Sequence, residues 1–594
     1  MGLEEKSKEE LIEYIRKIKN NPKVGLVWDK ETEETKEKIV SDCDKNIPVL
    51  KEIKEKDIDN GGLNHILIEG DNFHALSVLN YTHNGMIDVI YIDPPYNTGN
   101  DKEFMYNDKW VNNEDLYRHS KWLNFMEKRL RLAQNLLKEN GIIFISIDDN
   151  EYARLKLLCD KIFGENSFIS TLIIETSAIA GHRRVPAING SIVKTAEYVL
   201  VYCNGMDSKI IKNPMYDFIP GYDKHYSIFW DRNEDKTIKL MEYIKNNDEI
   251  SKEFKSNNMQ LSLDNLGILV GFNEKVRKWI YSDEISECIF RKGDEIKNIN
   301  ELRISKKKKG IIVTEDGKRI IKWKNGKYYT LFRYKDRIGK CDDYFLNYGE
   351  RSIRGNLWKG FSSDGGNLNK EGGVSFKNGK KPKRLIKQLI KSVIKEGKSA
   401  TILDFFAGSG TTGESVMELN EEGQNNYRFI LCTNNENNIC IEKTYPRMCN
   451  VLRGYGKNKP KEGSLKYYKT DFVKNEGTRD QKMYNLTQKC IPMLCMKNDT
   501  YETVISTDEY IIYSNKDKSK YTAIYFELDN GSASKIEFIE NLKKIGEKKS
   551  LYIFSFSNNI EERLDDVENY EIEPIPQKIY NYYMQVVNIS EEEN

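Results

Sequence analysis

The sequence predicts an α/β protein whose main domain is a largely parallel sheet, split into two pieces along the chain. Apolar strands alternate with helices between residues 61 and 205, and the same alternation returns between 375 and 455. Between the two pieces, from 206 to 374, the pattern becomes short mixed segments, scattered aromatic residues and turns. Strand–helix alternation of this kind is typical of βαβ units. We therefore expect one sheet interrupted by a long insertion.

The first piece opens with a short buried strand at 65–69, then Gly70-Asp71-Asn72 and a helix to Leu79. A second strand at 88–92 ends in Asp93-Pro94-Pro95-Tyr96. The further elements that the pattern predicts are a helix at 114–139, a strand at 142–147, a helix to about residue 163, and strands at 168–175 and 198–202.

The second piece has a helix at 381–395, a strand at 401–405, a glycine-rich segment at 406–413 with a helix to Leu419, and a strand at 427–432. Short strands at 510–513, 521–526 and 551–556 then predict a C-terminal α+β domain. The predicted divisions are an N-terminal helical arm (1–60), a first α/β piece (61–205), an insertion (206–374), a second α/β piece (375–455) and the C-terminal domain (456–594).

Composition excludes several classes of protein. With 594 residues, 39% of them hydrophobic, the chain has enough apolar material for a core, so wholesale disorder is excluded. No apolar run reaches the ~18 residues of a membrane span, and the first residues lack the apolar core of a signal peptide. The ten cysteines form no C-x-x-C pair and fit no zinc spacing, so we expect a cytoplasmic protein without a metal site.

The Asp93-Pro94-Pro95-Tyr96 motif follows a strand at the end where parallel sheets place ligands. Two prolines stiffen the turn, and we expect their carbonyl groups to be free acceptors. A carboxylate and a carbonyl can each accept one N–H of a planar exocyclic amine, which localises the nitrogen lone pair for attack. Tyr96 can stack on the base. The alternative is a proline-rich turn that only ends a strand.

The second motif is the glycine loop, in which Gly408, Gly410 and Gly413 fit G-x-G-x-x-G between a strand and a helix. A P-loop is excluded because no Lys-Ser or Lys-Thr follows. A dinucleotide loop is disfavoured because the next strand is followed by Thr433-Asn434-Asn435, with Glu436 only after them. The loop either lets a small cofactor approach the backbone or is a tight strand–helix turn.

Together the two motifs resemble those of the DNA amino-methyltransferases that use S-adenosyl-L-methionine. The resemblance implies that the Asp-Pro-Pro-Tyr motif binds the target base, usually adenine at N6, and that Phe406-Ala407-Gly408-Ser409-Gly410 binds the cofactor. The base motif precedes the glycine loop by about 300 residues, an order similar to that of the β group, whose target-recognition region lies between the motifs. The resemblance to the β group implies a circularly permuted Rossmann-like methyltransferase sheet. Its first four strands would be 401–405, 427–432, 65–69 and 88–92.

The same register implies the other cofactor contacts. Asp71 would face the cofactor adenine, although a helix cap is the alternative for this residue. The segment after the second strand departs from the family, because an acid normally holds the ribose there. The cofactor-binding residues implied by the resemblance are Asp71, Asn72, Phe376, Lys381, Pro382, Asp404, Phe406, Gly408, Ser409, Gly410 and Glu436.

Three segments narrow the resemblance to the modification (Mod) subunits of type III restriction–modification systems: Gly70-Asp71-Asn72, the stretch from Tyr91 to Gly99, and Ser146-Ile147-Asp148-Asp149. This implies an adenine-specific, site-specific DNA methyltransferase. It also implies a homodimer that associates with a restriction subunit carrying helicase and nuclease activity.

The insertion contains the basic residues that we expect to contact double-stranded DNA. Residues 301–340 hold 14 Lys and Arg against 4 Asp and Glu, with aromatic residues interleaved. The run Lys306-Lys307-Lys308-Lys309 is suited to phosphate contacts, while Arg333 and Arg337 have the chemistry to read guanine edges. The alternative is a solvated basic face. Because residues 561–594 carry 10 acids against 2 basic residues, the net charge of +1 conceals this patch.

Other functions remain open at this point. The same fold and the same chemistry also suit methyl transfer to N4 of cytosine. A DNA-binding specificity subunit with a degenerate site is a different class, which the complete motifs argue against. A nicotinamide dehydrogenase leaves the Asp-Pro-Pro-Tyr motif unexplained.

Overall fold

A computed structural model describes residues 28, 46–98, 117–180, 184–205, 210–297, 311–314, 319–324, 326–366, 368–376, 380–474, 479–526, 532–554, 564 and 566–573. Their contacts divide the chain into two compact units, a smaller one of Pro214–Ser363 and a larger one of Met1–Asn213 with Asp364–Asn594. The helix predicted for the N-terminal arm, at residues 11–18, and the run from Lys306 to Lys309 lie outside the described residues. In the described end of that arm, Asn46–Glu52 is a strand, so the helical prediction does not hold there. The five-part division predicted above stays a prediction.

The strands are numbered in chain order. They are β1 (Asn46–Glu52), β2 (Asn64–Glu69), β3 (Ile87–Ile92), β4 (Leu137–Ile147), β5 (Phe168–Glu175), β6 (Ala196–Cys203), β7 (Tyr216–Phe218), β8 (Ile228–Asp231), β9 (Lys236–Lys239), β10 (Ile289–Glu295), β11 (Ile311–Val313), β12 (Ile320–Lys324), β13 (Lys327–Arg333), β14 (Ile338–Lys340), β15 (Tyr348–Ile353), β16 (Leu357–Trp358), β17 (Ser399–Asp404), β18 (Asn426–Thr433), β19 (Ser464–Lys474), β20 (Glu502–Ser506), β21 (Tyr510–Ser514), β22 (Lys520–Phe526), β23 (Lys548–Phe554) and β24 (Tyr570–Glu573).

The α-helices are numbered in the same way. They are α1 (Asn72–Thr82), α2 (Arg118–Leu136), α3 (Tyr152–Phe163), α4 (Arg184–Ile188), α5 (Leu240–Lys245), α6 (Asp248–Ser256), α7 (Leu263–Phe272), α8 (Glu274–Tyr281), α9 (Asp283–Ser286), α10 (Lys383–Val393), α11 (Thr411–Gly423), α12 (Tyr445–Arg453), α13 (Arg479–Asn498) and α14 (Ser532–Lys543).

The larger unit is built on one sheet in the order β1-β19-β2-β18-β17-β3-β4-β6-β5. The strands from β19 to β4 are all parallel, whereas β6 runs antiparallel to both of its neighbours and β1 runs antiparallel to β19. The four strands expected to come first in a permuted methyltransferase sheet are therefore adjacent, in the order third, second, first, fourth. The predicted fold class, a permuted Rossmann-like sheet, is confirmed.

Burial on both faces explains why the central strands are so apolar. The middle residues of β3 and β18, such as Ile90 and Ile430, are fully buried between helices on either side of the sheet. A parallel sheet covered by helices on both faces requires such continuous apolar runs. The permutation thus leaves the core continuous, although its strands come from both ends of the chain.

The predicted C-terminal end of the helix at 114–139 is wrong. Helix α2 stops at Leu136, and β4 begins at the next residue. The backbone of Asn140 is left-handed, with φ of 62°, and its N–H donates to the carbonyl oxygen of Asn204 at 2.7 Å. Pairing with the neighbouring strand therefore extends the chain where the local sequence alone favours helix.

The smaller unit contains two sheets, in the orders β11-β12-β13-β10-β8-β9 and β14-β15-β7. Five short helices, α5 to α9, lie between β9 and β10 and surround a core of their own that includes Leu266, Leu269 and Ile280. The sequence pattern missed these helices because each is at most ten residues long.

The C-terminal part of the larger unit adds a five-stranded sheet in the order β20-β21-β22-β23-β24. Helix α13 packs against β1 and β19 on one side and against β22 and β23 on the other. In the parts of the chain that the structure describes, no helix is both long and apolar enough to cross a membrane. The same parts hold no cluster of His, Cys, Asp and Glu that would bind a metal ion.

Candidate functional site

The carboxylate of Asp93 lies just beyond the carboxyl end of β3. Its Oδ1 accepts a hydrogen bond from the Tyr96 hydroxyl at 2.8 Å and lies 3.2 Å from Nζ of Lys381. Its side chain keeps 21% of its surface exposed. Asp93 is therefore held on one side by the protein and open on the other.

A second carboxylate, from Glu197 in β6, meets the same group. Lys381 Nζ lies 3.1 Å from Glu197 Oε2, and the Tyr96 hydroxyl is 3.3 Å from the same oxygen. The ammonium of Lys381 also lies 4.7 Å from the centre of the Tyr96 ring. Two carboxylates and an aromatic face thus surround one cation, an arrangement that favours positive charge at this point.

The charges of this cluster shift one another's ionisation. Burial raises the pKa of Asp93; Lys381 opposes that rise and Glu197 adds to it. Burial alone would lower the pKa of Lys381, but the two carboxylates outweigh it and the pKa is raised. Burial and both carboxylates raise the pKa of Tyr96 well above 10. Tyr96 is therefore a neutral hydrogen-bond donor and Lys381 is a cation across the working pH range.

The turn after β3 is held by Trp122 of α2 and by Glu151, the residue just before α3. The indole N–H of Trp122 donates to the carbonyl oxygen of Pro95 at 2.8 Å. The prediction that both proline carbonyls are free is therefore wrong for Pro95. In the described part of the chain nothing donates to the carbonyl of Pro94. Asn97, left-handed with φ of 58°, donates to Glu151 at 2.7 Å, which directs the turn back towards the sheet.

The glycine loop joins β17 to α11 at the same edge of the sheet. Gly408 and Gly410 have φ of 49° and 78°, values that glycine adopts without strain. The carboxylate of Asp404 accepts the N–H of Phe406 at 3.0 Å and the hydroxyl of Thr412 at 2.5 Å. Burial, with a smaller contribution from the charge of Asp93, raises the pKa of Asp404 to about 7.

Asp71 and Asn72 connect the end of β2 to this loop. Asp71 caps α1 by accepting the N–H of Phe73 at 2.7 Å, and it pairs with the buried Arg129 at 3.3 Å. The side-chain amide of Asn72 donates to the carbonyl oxygen of Phe405 at 3.1 Å. Asp71 is thus a helix cap whose side chain remains 21% exposed at the rim of the loop.

The Asp93 turn and the glycine loop lie within a stretch of the chain that matches a known protein family. A family model described as DNA methylase matches residues 87–444, more than half of the chain. The chain belongs to this DNA methylase family. The match includes both the Asp93 turn and the glycine loop.

Curated relatives of this chain include two type III restriction-modification enzyme Mod subunits. The StyLTI Mod subunit of Salmonella typhimurium is 29% identical over 404 residues, 63% of this chain and 53% of that protein. The EcoPI Mod subunit of Escherichia phage P1 is 28% identical over 413 residues, 65% of this chain and 58% of that protein. The chain spans about half the length of the curated relatives it matches.

Among solved structures, the M1.HpyAVI–SAM complex matches 64% of this chain and 98% of its own, at 13% identity and a TM-score of 0.28. The fold of this chain is established by its strand order and by the family match.

The remaining residues implied for the cofactor lie in different surroundings. Phe376 is buried, and Pro382 is the residue just before α10. Lys381 contacts the Asp93 cluster, as described above. Glu436 is exposed after β18, and in the described part of the chain its side chain accepts a hydrogen bond only from the Asn434 amide, at 3.5 Å.

Arg447, which has no role in the sequence analysis, contacts residues of the glycine loop. This fully buried side chain donates to the hydroxyls of Ser409 at 3.1 Å and Thr411 at 2.7 Å, and it pairs with Glu414 at 2.6 Å. Despite burial, the positive charges of Arg447 and Lys383 lower the pKa of Glu414 to about 2. The sequence has no local signal for this contact, because Arg447 and Glu414 belong to two different helices and the helix of Glu414 carries several other acids.

In the smaller unit, the two arginines suggested as base readers are engaged with carboxylates. Arg333 pairs with Asp336 at 2.9 Å and remains 37% exposed. Arg337 pairs at 3.2 Å with the buried Glu350, whose pKa burial raises. Arg337 thus compensates a buried acid within the unit, while Arg333 keeps an exposed face.

The smaller unit also has a cationic cleft, which we call the lysine cleft. It has a volume of about 340 Å³ and includes Tyr329 and Glu242 in its walls. Burial and the charges of two neighbouring lysines lower the pKa of Lys322. Among the described residues none of its four lysines forms an ion pair. These lysines are Lys239, Lys292, Lys322 and Lys324.

Proposed function

We propose that this protein is a site-specific DNA methyltransferase that transfers a methyl group from S-adenosyl-L-methionine to N6 of adenine in double-stranded DNA. The observation that carries the proposal is the partly open Asp93 carboxylate beside the Tyr96 ring and the Pro94 carbonyl. This set lies at the end of β3, next to the strand that leads into the glycine loop. Membership of the DNA methylase family supports the same reaction class.

The chemistry requires an acceptor for each N–H of the target amine. The adenine amino lone pair is delocalised into the ring, so the free base is a poor nucleophile. Asp93 accepts one N–H and the Pro94 carbonyl accepts the other, which turns the lone pair out of the ring plane. The carboxylate also stabilises the positive charge that develops on nitrogen, in a site already arranged for it.

The residues for the cofactor fit S-adenosyl-L-methionine in donor chemistry. The glycine loop offers close backbone approach at Gly408 and Gly410, and Asp71 offers an exposed carboxylate edge beside it. When bound, the cofactor supplies an electrophilic methyl group on a sulfonium. Phe406, Ser409 and Asp404 form and brace the loop, whereas Lys381 belongs to the base side of the site.

Target adenines lie inside the duplex, so the base has to be flipped out to reach Asp93. The Tyr96 ring gives it a surface to stack on. The four lysines of the lysine cleft, together with the run from Lys306 to Lys309 and with Arg333, supply phosphate contacts for the duplex. These contacts fix the protein on DNA without reading sequence.

The test is transfer of labelled methyl groups from S-adenosyl-L-methionine to unmethylated duplex DNA, followed by digestion and identification of the labelled nucleoside. We expect the label in N6-methyldeoxyadenosine. Label on cytosine N4 would assign the same chemistry to the other amino base. No transfer together with no binding of the cofactor would overturn the proposal.

Replacing Asp93 by alanine should remove the acceptor and lower the single-turnover rate by at least ~100-fold, the scale of losing one preorganised electrostatic contact. DNA binding, measured by fluorescence anisotropy, should not change. The exposed Asp508, in the turn between β20 and β21, is the matched control, and Asp508→Ala should transfer at the wild-type rate. Wild-type transfer by Asp93→Ala would remove this residue from the chemistry.

We further infer that the protein acts as the modification subunit of a type III restriction–modification system. The Mod subunits named above support this, since each aligns with more than 60% of this chain. A homodimer and a complex with a restriction subunit are then expected. Sedimentation of the purified chain, and co-purification with a helicase–nuclease subunit from the same cells, would test the two assemblies separately.

A further inference from the structure

Glu197 and Lys381 form an ion pair directly beside the carboxylate of Asp93. Lys381 comes from the segment before α10 and Glu197 from β6, so the two reach Asp93 from different parts of the sheet. Their 3.1 Å ion pair places one cation and one further anion against Asp93. Neither charge is solvated as a surface charge would be, because the two side chains are 13% and 24% exposed.

The methyl-transfer step needs Asp93 as an anion. A protonated carboxyl group would present a donor to the target amine at one oxygen, and it could not stabilise positive charge on nitrogen. Burial works against the anion, as does the second carboxylate, while Lys381 works for it. The charged or titratable groups that face Asp93 are Lys381, Glu197, Tyr96, Tyr91 and Asp404.

We propose that Glu197 and Lys381 are positioning residues that set the charge of Asp93 during turnover, Lys381 by favouring the carboxylate and Glu197 by limiting that effect and anchoring the ammonium. The proposal rests on the proposed function. It gives Lys381 a role on the base side of the site, in place of the cofactor contact implied by the family resemblance.

Tyr96 contacts all three charged side chains of the cluster, Asp93, Glu197 and Lys381. Its hydroxyl is within hydrogen-bonding distance of both carboxylates, and its ring lies beneath the Lys381 ammonium. A shift of the ammonium away from Asp93 therefore also changes the position of the ring on which the base stacks. Charge and geometry at the target nitrogen are set by the same contacts.

The experiment is the pH dependence of the single-turnover methylation rate with saturating S-adenosyl-L-methionine and duplex DNA. The rate should fall on the acid side as Asp93 takes up a proton. In Lys381→Met this acid limb should move to higher pH by about 1 unit, because a nearby positive charge is lost. In Glu197→Gln it should move to lower pH, because a like charge is lost and the amide still contacts Lys381.

The double variant Lys381→Met/Glu197→Gln removes both charges and should bring the limb back towards its wild-type position. A purely structural role does not produce opposite shifts that cancel. The matched control is Lys138→Met, which removes a 2.8 Å ion pair with Asp88 at the other end of β3 and should leave the limb in place. If Lys381→Met does not fold, Glu197→Gln alone still tests the direction.

Two results would overturn the proposal. One is an acid limb of the pH–rate profile that shifts in the same direction in both single variants, or that shifts in neither of them. The other is a large loss of cofactor affinity in Lys381→Met, measured by equilibrium dialysis, with an unchanged limb, which would return Lys381 to the cofactor. Both require methyl transfer by the wild type, so they are distinct from failure of the proposed function, in which the wild type transfers nothing.

Discussion

At the scale of single residues, the candidate site is defined by which groups remain open. Asp93 and the Pro94 carbonyl have acceptor capacity left, whereas the Pro95 carbonyl is already used by Trp122. The hydroxyl of Tyr96 is directed at carboxylates, while the residue as a whole is 8% exposed and its ring offers a ligand only that small open surface. The roles of hydroxyl and ring can therefore be separated by substitution.

Tyr96→Phe keeps the ring and loses one hydrogen bond to Asp93, so we expect kcat/KM for methyl transfer to fall by no more than ~10-fold. Tyr96→Ala also loses the stacking surface, and base–aromatic stacking of ~1–3 kcal/mol predicts a loss of roughly 5- to 150-fold. Steady-state methylation assays compare the two. Equal losses in both variants would show that the hydroxyl, not the ring, is what the reaction uses.

The sequence predicted Asp93, Tyr96 and the glycine loop as neighbours, because each follows a strand of one parallel sheet and such ends share an edge. It could not predict Glu197, which is 101 residues from Tyr96 along the chain. Its position depends on β6 running antiparallel between β4 and β5, which brings the start of β6 to the edge where β3 ends. Strand direction is a tertiary property that local pattern does not carry.

At the scale of elements, prediction was best where burial dictates the pattern. The strand at 168–175 was predicted to the residue, and the four leading strands within one or two residues. Errors lie where tertiary pairing competes with local propensity, as at the end of α2, or where helices are too short to show a period, as from α5 to α9. The buried pair of Arg447 and Glu414 also had no local signature, since its partners come from two helices.

The end of β17 makes a testable contribution to pH-dependent stability. Asp404 has a pKa of about 7 in the fold, above its ordinary value of 3.8. Between these values the native state binds the proton more tightly than the unfolded chain, so stability falls as pH rises through that window. Above it the buried carboxylate costs up to about 4 kcal/mol relative to low pH.

Asp404→Asn removes this titration while keeping an oxygen acceptor. The free energy of unfolding of the variant relative to wild type should therefore rise between about pH 4 and pH 7 and level off above. Urea unfolding at several pH values measures this difference. A difference that is constant with pH would show that Asp404 titrates in the fold as it does in water.

At the scale of the whole molecule, a net charge of +1 conceals strongly unequal regions. The lysine cleft collects four cations in one concave surface of the smaller unit, and among the described residues they have no anionic partners. Nucleic-acid phosphates would release condensed counterions on meeting it. DNA affinity should therefore depend steeply on salt although the protein is nearly neutral.

Lys292→Ala and Lys324→Ala should each weaken duplex binding for all sequences and reduce the slope of log K against log salt by up to ~0.9. The control is Lys278→Ala on α8, whose side chain is 77% exposed and whose ammonium pairs with Glu274 at 2.7 Å. Fluorescence anisotropy at four salt concentrations gives the slopes. Unchanged slopes in both cleft variants would place the phosphate contacts elsewhere.

The permuted strand order has a consequence for synthesis on the ribosome. Strands β17 and β18 separate β2 from β3 in the sheet, but they follow β3 by about 300 residues in the chain. At ~5–20 residues per second, β3 leaves the ribosome roughly 15–60 s before the strands that cover its open edge. Unpaired edges of apolar strands are templates for aggregation. The nascent first half must therefore be shielded until the second half emerges, and a chain ending in the insertion would aggregate instead of forming a shorter enzyme.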